Sequence, residues 1–108
     1  MIIEFQELNR KFDKGTLVNR GSLEFAISAC KKTKNWQEQL AFILRALIND
    51  YVFADGNKRT ATAYIMAVLE KQKLAYDVYK IDTMAVSIAK NRLTSIARIR
   101  RLIQNALR

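Results

Sequence analysis

The sequence predicts an all-α fold, a compact bundle of about six helices. Three observations carry that prediction. Proline is absent and glycine occurs only at 15, 21 and 56, so little interrupts a helix. Apolar residues recur at three- and four-residue spacing along most of the chain. β-branched and aromatic residues do not gather into alternating runs. Half of the 108 residues are apolar, enough for one core without covalent staples. A single domain over 1–108 is expected, with no linker or internal repeat.

The elements follow in order. Ile2, Phe5, Leu8 and Phe12 lie at helical spacing and predict a first helix over 2–12. Lys14-Gly15-Thr16 reads as a turn, and 16–21 as an ordered loop closed by Gly21. Ser22 is the expected cap of a helix to about Lys32, with Leu23, Ala26, Ile27 and Cys30 on one face. Asn35 and Glu38 have capping-box spacing. They open the most strongly periodic segment, with Trp36, Leu40, Ile43, Leu44, Leu47 and Ile48 as the central core helix. A loop over 50–56 leads to a helix from Asn57 to about Lys73, with Ala61, Tyr64, Ile65, Val68 and Leu69 inward. Leu74 to Ile81 reads as a short extended stretch or a loop. Asp82 is the expected cap of a helix through Lys90. Thr94 or Ser95 caps the last helix, with Ile96, Ile99, Leu102, Ile103 and Leu107 inward and Arg98, Arg101 and Arg108 outward.

Composition narrows the function. No apolar run approaches the roughly 18 residues that span a bilayer, so no membrane partner is expected. The start, Met1-Ile2-Ile3-Glu4-Phe5, has no basic leader, long apolar stretch or cleavage site; the cytoplasm is the expected location. Cys30 is the only cysteine and histidine is absent, which excludes a disulfide within the chain and a structural zinc site. Cys30, on the apolar face with Ala26 and Ile27, reads as a small buried hydrophobe. The net charge is +9. No acidic residue follows Asp82, while Lys90, Arg92, Arg98, Arg100, Arg101 and Arg108 do. This basic end fits a solvated helix face, an acidic protein partner or nucleic acid. Nucleic acid is least favoured, because no helix-turn-helix or aromatic platform accompanies the charge.

The most informative stretch is Tyr51-Val52-Phe53-Ala54-Asp55-Gly56-Asn57-Lys58-Arg59-Thr60-Ala61. Phe53, a loop aromatic just before Asp55, should anchor the loop in the core. Asp55 either caps the next helix or helps hold a divalent cation through hard oxygen ligands. Gly56 permits a positive φ or close approach of a ligand. Asn57, Lys58 and Arg59 open a helix, where free N–H groups and the helix dipole favour an anion. Arg59 offers a planar fork for phosphate oxygens and Lys58 a mobile point charge. From chemistry alone a phosphate cradle and a well-capped helix with two surface cations stand level. The stretch is not a P-loop, whose Gly-x-x-x-x-Gly-Lys-Ser/Thr pattern is absent.

Residues 51–61 resemble the signature of the Fic/Doc (fido) superfamily, His-x-Phe-x-Asp/Glu-Gly-Asn-Gly/Lys-Arg. The match is continuous through Phe53, Asp55, Gly56, Asn57, Lys58 and Arg59. Lys58, Thr60, Ala61 and Thr62 are similar to the death-on-curing (Doc) branch, and Gly21-Ser22-Leu23-Glu24 resembles a helix start common in Doc-like proteins. The resemblance implies a helical fold built around this loop. It also implies a toxin-type enzyme that moves phosphate or AMP from ATP to a hydroxyl of a target protein, such as a translation elongation factor. By position, Asp55 would help bind Mg²⁺, and Gly56, Asn57, Lys58 and Arg59 would hold phosphates. The inhibitory helix of some Fic proteins is not found, so control would come from a separate antitoxin.

Position 51 departs from the pattern. The family's base is a histidine, and here it is Tyr51. A tyrosine, with a reference pKa of about 10, is almost wholly protonated at pH 7 and is a poor base. Asp50 is the low-ranked substitute, against its simpler role as a surface residue at a helix end. The expected protein is therefore a Doc-like scaffold with its nucleotide cradle kept and its chemistry impaired. The alternative is a non-enzymatic module of the same fold that binds an acidic antitoxin or partner through its basic terminal helix.

Overall fold

The computed structural model describes residues 1–107. Six α-helices make up the described chain: α1 (Ile2–Asn9), α2 (Arg20–Cys30), α3 (Trp36–Leu44), α4 (Asn57–Lys71), α5 (Val78–Lys90) and α6 (Ile96–Ala106). A π-helical turn, Arg45–Asn49, continues α3. Among the described residues there is no strand, only the isolated bridges Leu17–Phe53 and Tyr76–Leu107. The Cα radius of gyration, 12.6 Å, is that of one compact unit of about 100 residues.

The α3 segment and its π turn form the centre. Leu40, Ile43, Leu44, Leu47 and Ile48 are buried there, and α2, α4, α5 and α6 pack around them. Each neighbour contributes its own apolar stripe: Leu23 from α2, Ile65 and Leu69 from α4, Ile81 and Ile88 from α5, Ile99 and Ile103 from α6. α1 lies against α4, where the Phe5 and Tyr64 rings meet with centroids 4.9 Å apart. Burial pushes the Tyr64 phenol up to about 12, with a smaller push from Cys30. Cys30 is half-buried, its Sγ donates to the Gln39 carbonyl at 3.3 Å, and burial raises its pKa.

Several boundaries differ from the sequence expectation, each for a local reason. α1 stops at Asn9, because the chain turns there and the N–H groups of Phe12 and Asp13 both return to the Asn9 carbonyl. Phe12 is consequently outside the helix and 38% exposed. Ser22 does not cap α2; Asn19 does, its Oδ1 accepting the Ser22 N–H. Asp82 does not cap α5; Asp77 does, accepting the Tyr79 N–H at 2.9 Å, and the segment from Val78 is already helix. Asn35 caps α3 by accepting the Glu38 N–H at 3.0 Å. The reciprocal half of that capping box is missing, since the Glu38 carboxylate faces Arg100 at 3.5 Å. Ser95 caps α6. Arg98 and Arg101 are exposed as expected. Arg100 is not on that surface: it is half-buried against Glu38. Arg108 lies outside the described residues.

Candidate functional site

The loop between the π turn and α4 is held from four sides, and four asparagines do much of the holding. Asn19 Nδ2 donates to the Asp50 carbonyl at 2.9 Å. Asn49 Nδ2 donates to the Leu93 carbonyl, tying the π turn to the α5–α6 connection. Asn57 bonds twice to Phe53: its Oδ1 accepts the Phe53 N–H at 2.9 Å and its Nδ2 donates to the Phe53 carbonyl at 2.8 Å. Asn9, fully buried, accepts the Gly15 N–H at 2.8 Å and donates to the Asp55 carbonyl at 2.9 Å and to Thr60 Oγ1 at 3.0 Å. Backbone pairing completes the grip, with Val18 and Asn19 N–H on the Val52 carbonyl and Ala54 N–H on the Thr16 carbonyl.

Phe53 is completely buried and anchors the loop, a contribution of about 1.5–3 kcal/mol for a side chain of its class. Gly56 takes φ 75°, the left-handed region, as the N-cap of α4. A Cβ there would sit 3.2 Å from Asn9 Nδ2, so both the backbone and the packing call for glycine. The Gly56 carbonyl receives the Thr60 N–H at 2.9 Å and the Thr60 hydroxyl at 2.8 Å, which closes the first turn of α4.

The N–H groups of Asn57, Lys58 and Arg59 make no hydrogen bond among the described residues. They are the open donors of a helix start. The Gly56 N–H is held by Asp55 Oδ1 at 2.7 Å, so a carboxylate oxygen rests on the same backbone nest that suits an anion. Lys58 and Arg59 are exposed and neither forms an ion pair among the described residues.

Tyr51, Asp55, Gly56, Asn57, Lys58 and Arg59, the six residues singled out from sequence, all line one cavity of about 460 Å³. Phe12, Ile48, Ala54 and Ala89 complete its wall. Its size falls in the range of small-ligand sites. Tyr51 stands at the rim, 66% exposed, with φ 49°. Asp50 lines an adjoining cleft with Asn49, Arg92 and Thr94, which shares Tyr51 and Ala89 with the cavity, and is not among the residues that line the cavity itself.

Two roles differ from the simplest sequence reading. The Asn57 side chain cannot grip a phosphate while both its polar ends hold Phe53; only its backbone N–H is open. Asn9 and Phe12 were not singled out for the site, yet one holds the loop and the other lines the cavity. The clue to Asn9 was its place four residues after Phe5, an amide on an apolar helical face. For a cation, the cavity offers the Asp55 carboxylate alone, and no cluster of three His, Cys, Asp or Glu side chains occurs among the described residues. One carboxylate suits a Mg²⁺ ion that arrives on phosphates, and is too few to cage a metal by protein alone.

Comparison with protein-family models, with curated proteins and with solved structures gave no match to this chain.

Proposed function

We propose that the cavity is a nucleotide-phosphate cradle of the Fic/Doc type, closest in its motif to the Doc branch. One observation carries the reading. A left-handed glycine, three open N–H groups, two unpaired cations and one carboxylate converge on a single cavity. The open N–H groups of Asn57, Lys58 and Arg59 would receive phosphate oxygens, and Arg59 and Lys58 would neutralise their charge. Asp55 would swing from the Gly56 N–H to a Mg²⁺ ion brought in on ATP; that ion supplies charge neutralisation on the transferred group.

The reaction is transfer of the terminal phosphoryl group of ATP to a hydroxyl of a target protein, such as a translation factor, with ADP leaving and the hydroxyl giving up its proton (or of AMP, with pyrophosphate leaving). Tyr51 occupies the position of the base. A phenol is a poor base near neutral pH, so the protein binds nucleotide and turns over poorly. Calorimetry should detect binding of Mg–ATP; no heat at millimolar nucleotide would overturn the reading. Tyr51→His should raise transfer by about 100- to 10,000-fold, read by radiolabel incorporation into the target. An inert, normally folded Tyr51→His variant that still binds ATP would leave a binding protein and no silenced enzyme.

A second reading rests on a separate cleft between α5 and α6, lined by Asn91, Arg98, Arg101 and Asn105. Neither arginine is paired with an acidic residue among the described ones. That cleft suits an acidic segment of a partner such as an antitoxin, held with or without any chemistry at Tyr51. Loss of such a partner on Arg98→Glu would support it.

A further inference from the structure

A further cavity, of about 490 Å³, opens between α2 and α3 and shares no lining residue with the cradle or with the α5–α6 cleft. Phe25, Ala29 and Phe42 give it an apolar wall, and Lys32 and Thr33 line it as well. Phe25 is 61% exposed. It lies off the buried stripe of α2, which runs through Leu23 and Ala26, so folding leaves its ring in water. The Arg45 guanidinium lies over both rings, 5.9 Å from the Phe25 centroid and 5.4 Å from that of Phe42, and joins the two aromatics into one patch. An exposed apolar patch rimmed by polar groups is the mark of an interaction surface.

The free charge around this patch has one sign. Lys31, Lys32 and Lys34, at the end of α2, are exposed, and none forms an ion pair among the described residues. Glu24 and Glu38 are the only acidic residues of α2 and α3. Both are already paired, with Arg20 at 3.2 Å and with Arg100 at 3.5 Å. A second copy of the chain is a poor occupant, because like patches and net charges of +9 would meet. A neutral apolar ligand would leave the lysines unmatched. We propose that the α2–α3 groove docks an acidic segment of a partner protein. One large apolar side chain of that segment packs on Phe25 and Phe42, and its carboxylates face Lys31, Lys32 and Lys34. The surface is independent of the cradle, so it stands whether or not the protein binds nucleotide.

The test selects short peptides from a random display library on the full chain and measures the enriched ones by fluorescence anisotropy. The enriched sequences should combine Asp and Glu with one aromatic or large aliphatic residue. Phe25→Ser should weaken them by at least about tenfold, as expected for an anchor residue. Lys32→Glu should also weaken them, most at low salt. Phe25 is exposed, so Phe25→Ser should keep its urea midpoint, and the loss then reads binding and not folding. Arg98→Glu, in the α5–α6 cleft, should leave the affinity nearly unchanged. Enriched peptides without an acidic bias, or ones that bind either groove variant as well as the unaltered protein, would overturn the proposal. Loss on Arg98→Glu with none on Phe25→Ser would place the acidic segment in the other cleft and end it too. Sedimentation equilibrium supplies the last arm: a dimer of the unaltered protein that Phe25→Ser dissociates would make a second copy the occupant and the proposal wrong.

Discussion

At the scale of single residues, the candidate site is held in shape by a side chain that does not line its cavity. Asn9 spends three hydrogen bonds on Gly15, Asp55 and Thr60 from a fully buried position. Asn9→Ala should cost about 1–3 kcal/mol, because the Gly15 N–H and the Thr60 hydroxyl that it leaves behind are buried. Urea unfolding would show this as a lower midpoint, and a loss below half a kcal/mol would mean the loop finds other partners. Gly56→Ala forces a Cβ into the left-handed region and toward Asn9. The backbone term alone is about 1–2 kcal/mol, and the open N–H groups would shift with it. Nucleotide affinity should therefore fall along with stability. Tyr51 also has a left-handed φ. Histidine is among the non-glycine residues enriched in that region, so Tyr51→His should fold without a backbone penalty and isolates the chemistry of the side chain.

At the scale of elements, helix ends set the geometry of the clefts. α4 and α5 both close with Schellman-type bonds, Leu74 N–H to the Leu69 carbonyl and Leu93 N–H to the Ile88 carbonyl. The residues between, Lys73 and Arg92, take φ 59° and 48° where glycine is usual. Lys73→Gly should raise stability, by up to about 1 kcal/mol, seen as a higher urea midpoint. No gain would show that the lysine makes a compensating contact. Arg92 is a less clean test, since it lines the cleft beside Tyr51. The π turn acts at the same scale. Its extra residue re-aims the chain as it leaves the core, and Asn49 and Arg45 bind that turn to the Leu93 and Thr94 carbonyls. Arg45 is further fixed over the Phe42 ring, at 5.4 Å.

At the scale of the whole molecule, two global properties are testable. Tyr64 has a pKa raised to about 12 by burial between α1 and α4. A raised acid pKa means that the folded state keeps a proton which the unfolded chain gives up near its reference value of about 10. The stability tied to this group is fully present below pH 10 and is lost as pH rises through about 12. Tyr64→Phe should therefore flatten the fall in urea midpoint across that alkaline window. An unchanged fall would place the titration elsewhere. The net charge of +9 works on the same scale. Self-repulsion opposes compaction and is screened within about 10 Å at 0.1 M salt. Added salt should raise the melting temperature moderately, and a melting temperature that falls with salt would point to ion pairs outweighing repulsion.

The sequence alone was enough for the class of the fold and the central helix, and it marked the residues that we propose as a phosphate cradle. Helical periodicity reports directly on which face is buried, and the α3 core residues Leu40, Ile43, Leu44, Leu47 and Ile48 were legible for that reason. A contiguous motif is local, so Asp55 to Arg59 could be read as a helix start before any tertiary contact was known. Caps were less legible. Asn19 and Asp77 cap where Ser22 and Asp82 were expected, because any of these side chains can cap and only the path of the preceding loop selects one. Glycine-free ends at Lys73 and Arg92 removed the usual stop signal. Only the tertiary structure decided that Asn57 turns its side chain onto Phe53, that Asn9 reaches across to Asp55 and Thr60, and that Asp82 stands beside Lys58 and Arg59. The last two bring together residues far apart in the chain and are set by how the helices pack, while Asn57 and Phe53 are four residues apart and meet because the loop folds back on itself. No periodic pattern encodes such placements, and the Asn57 contact leaves only the backbone N–H of that residue open at the start of α4.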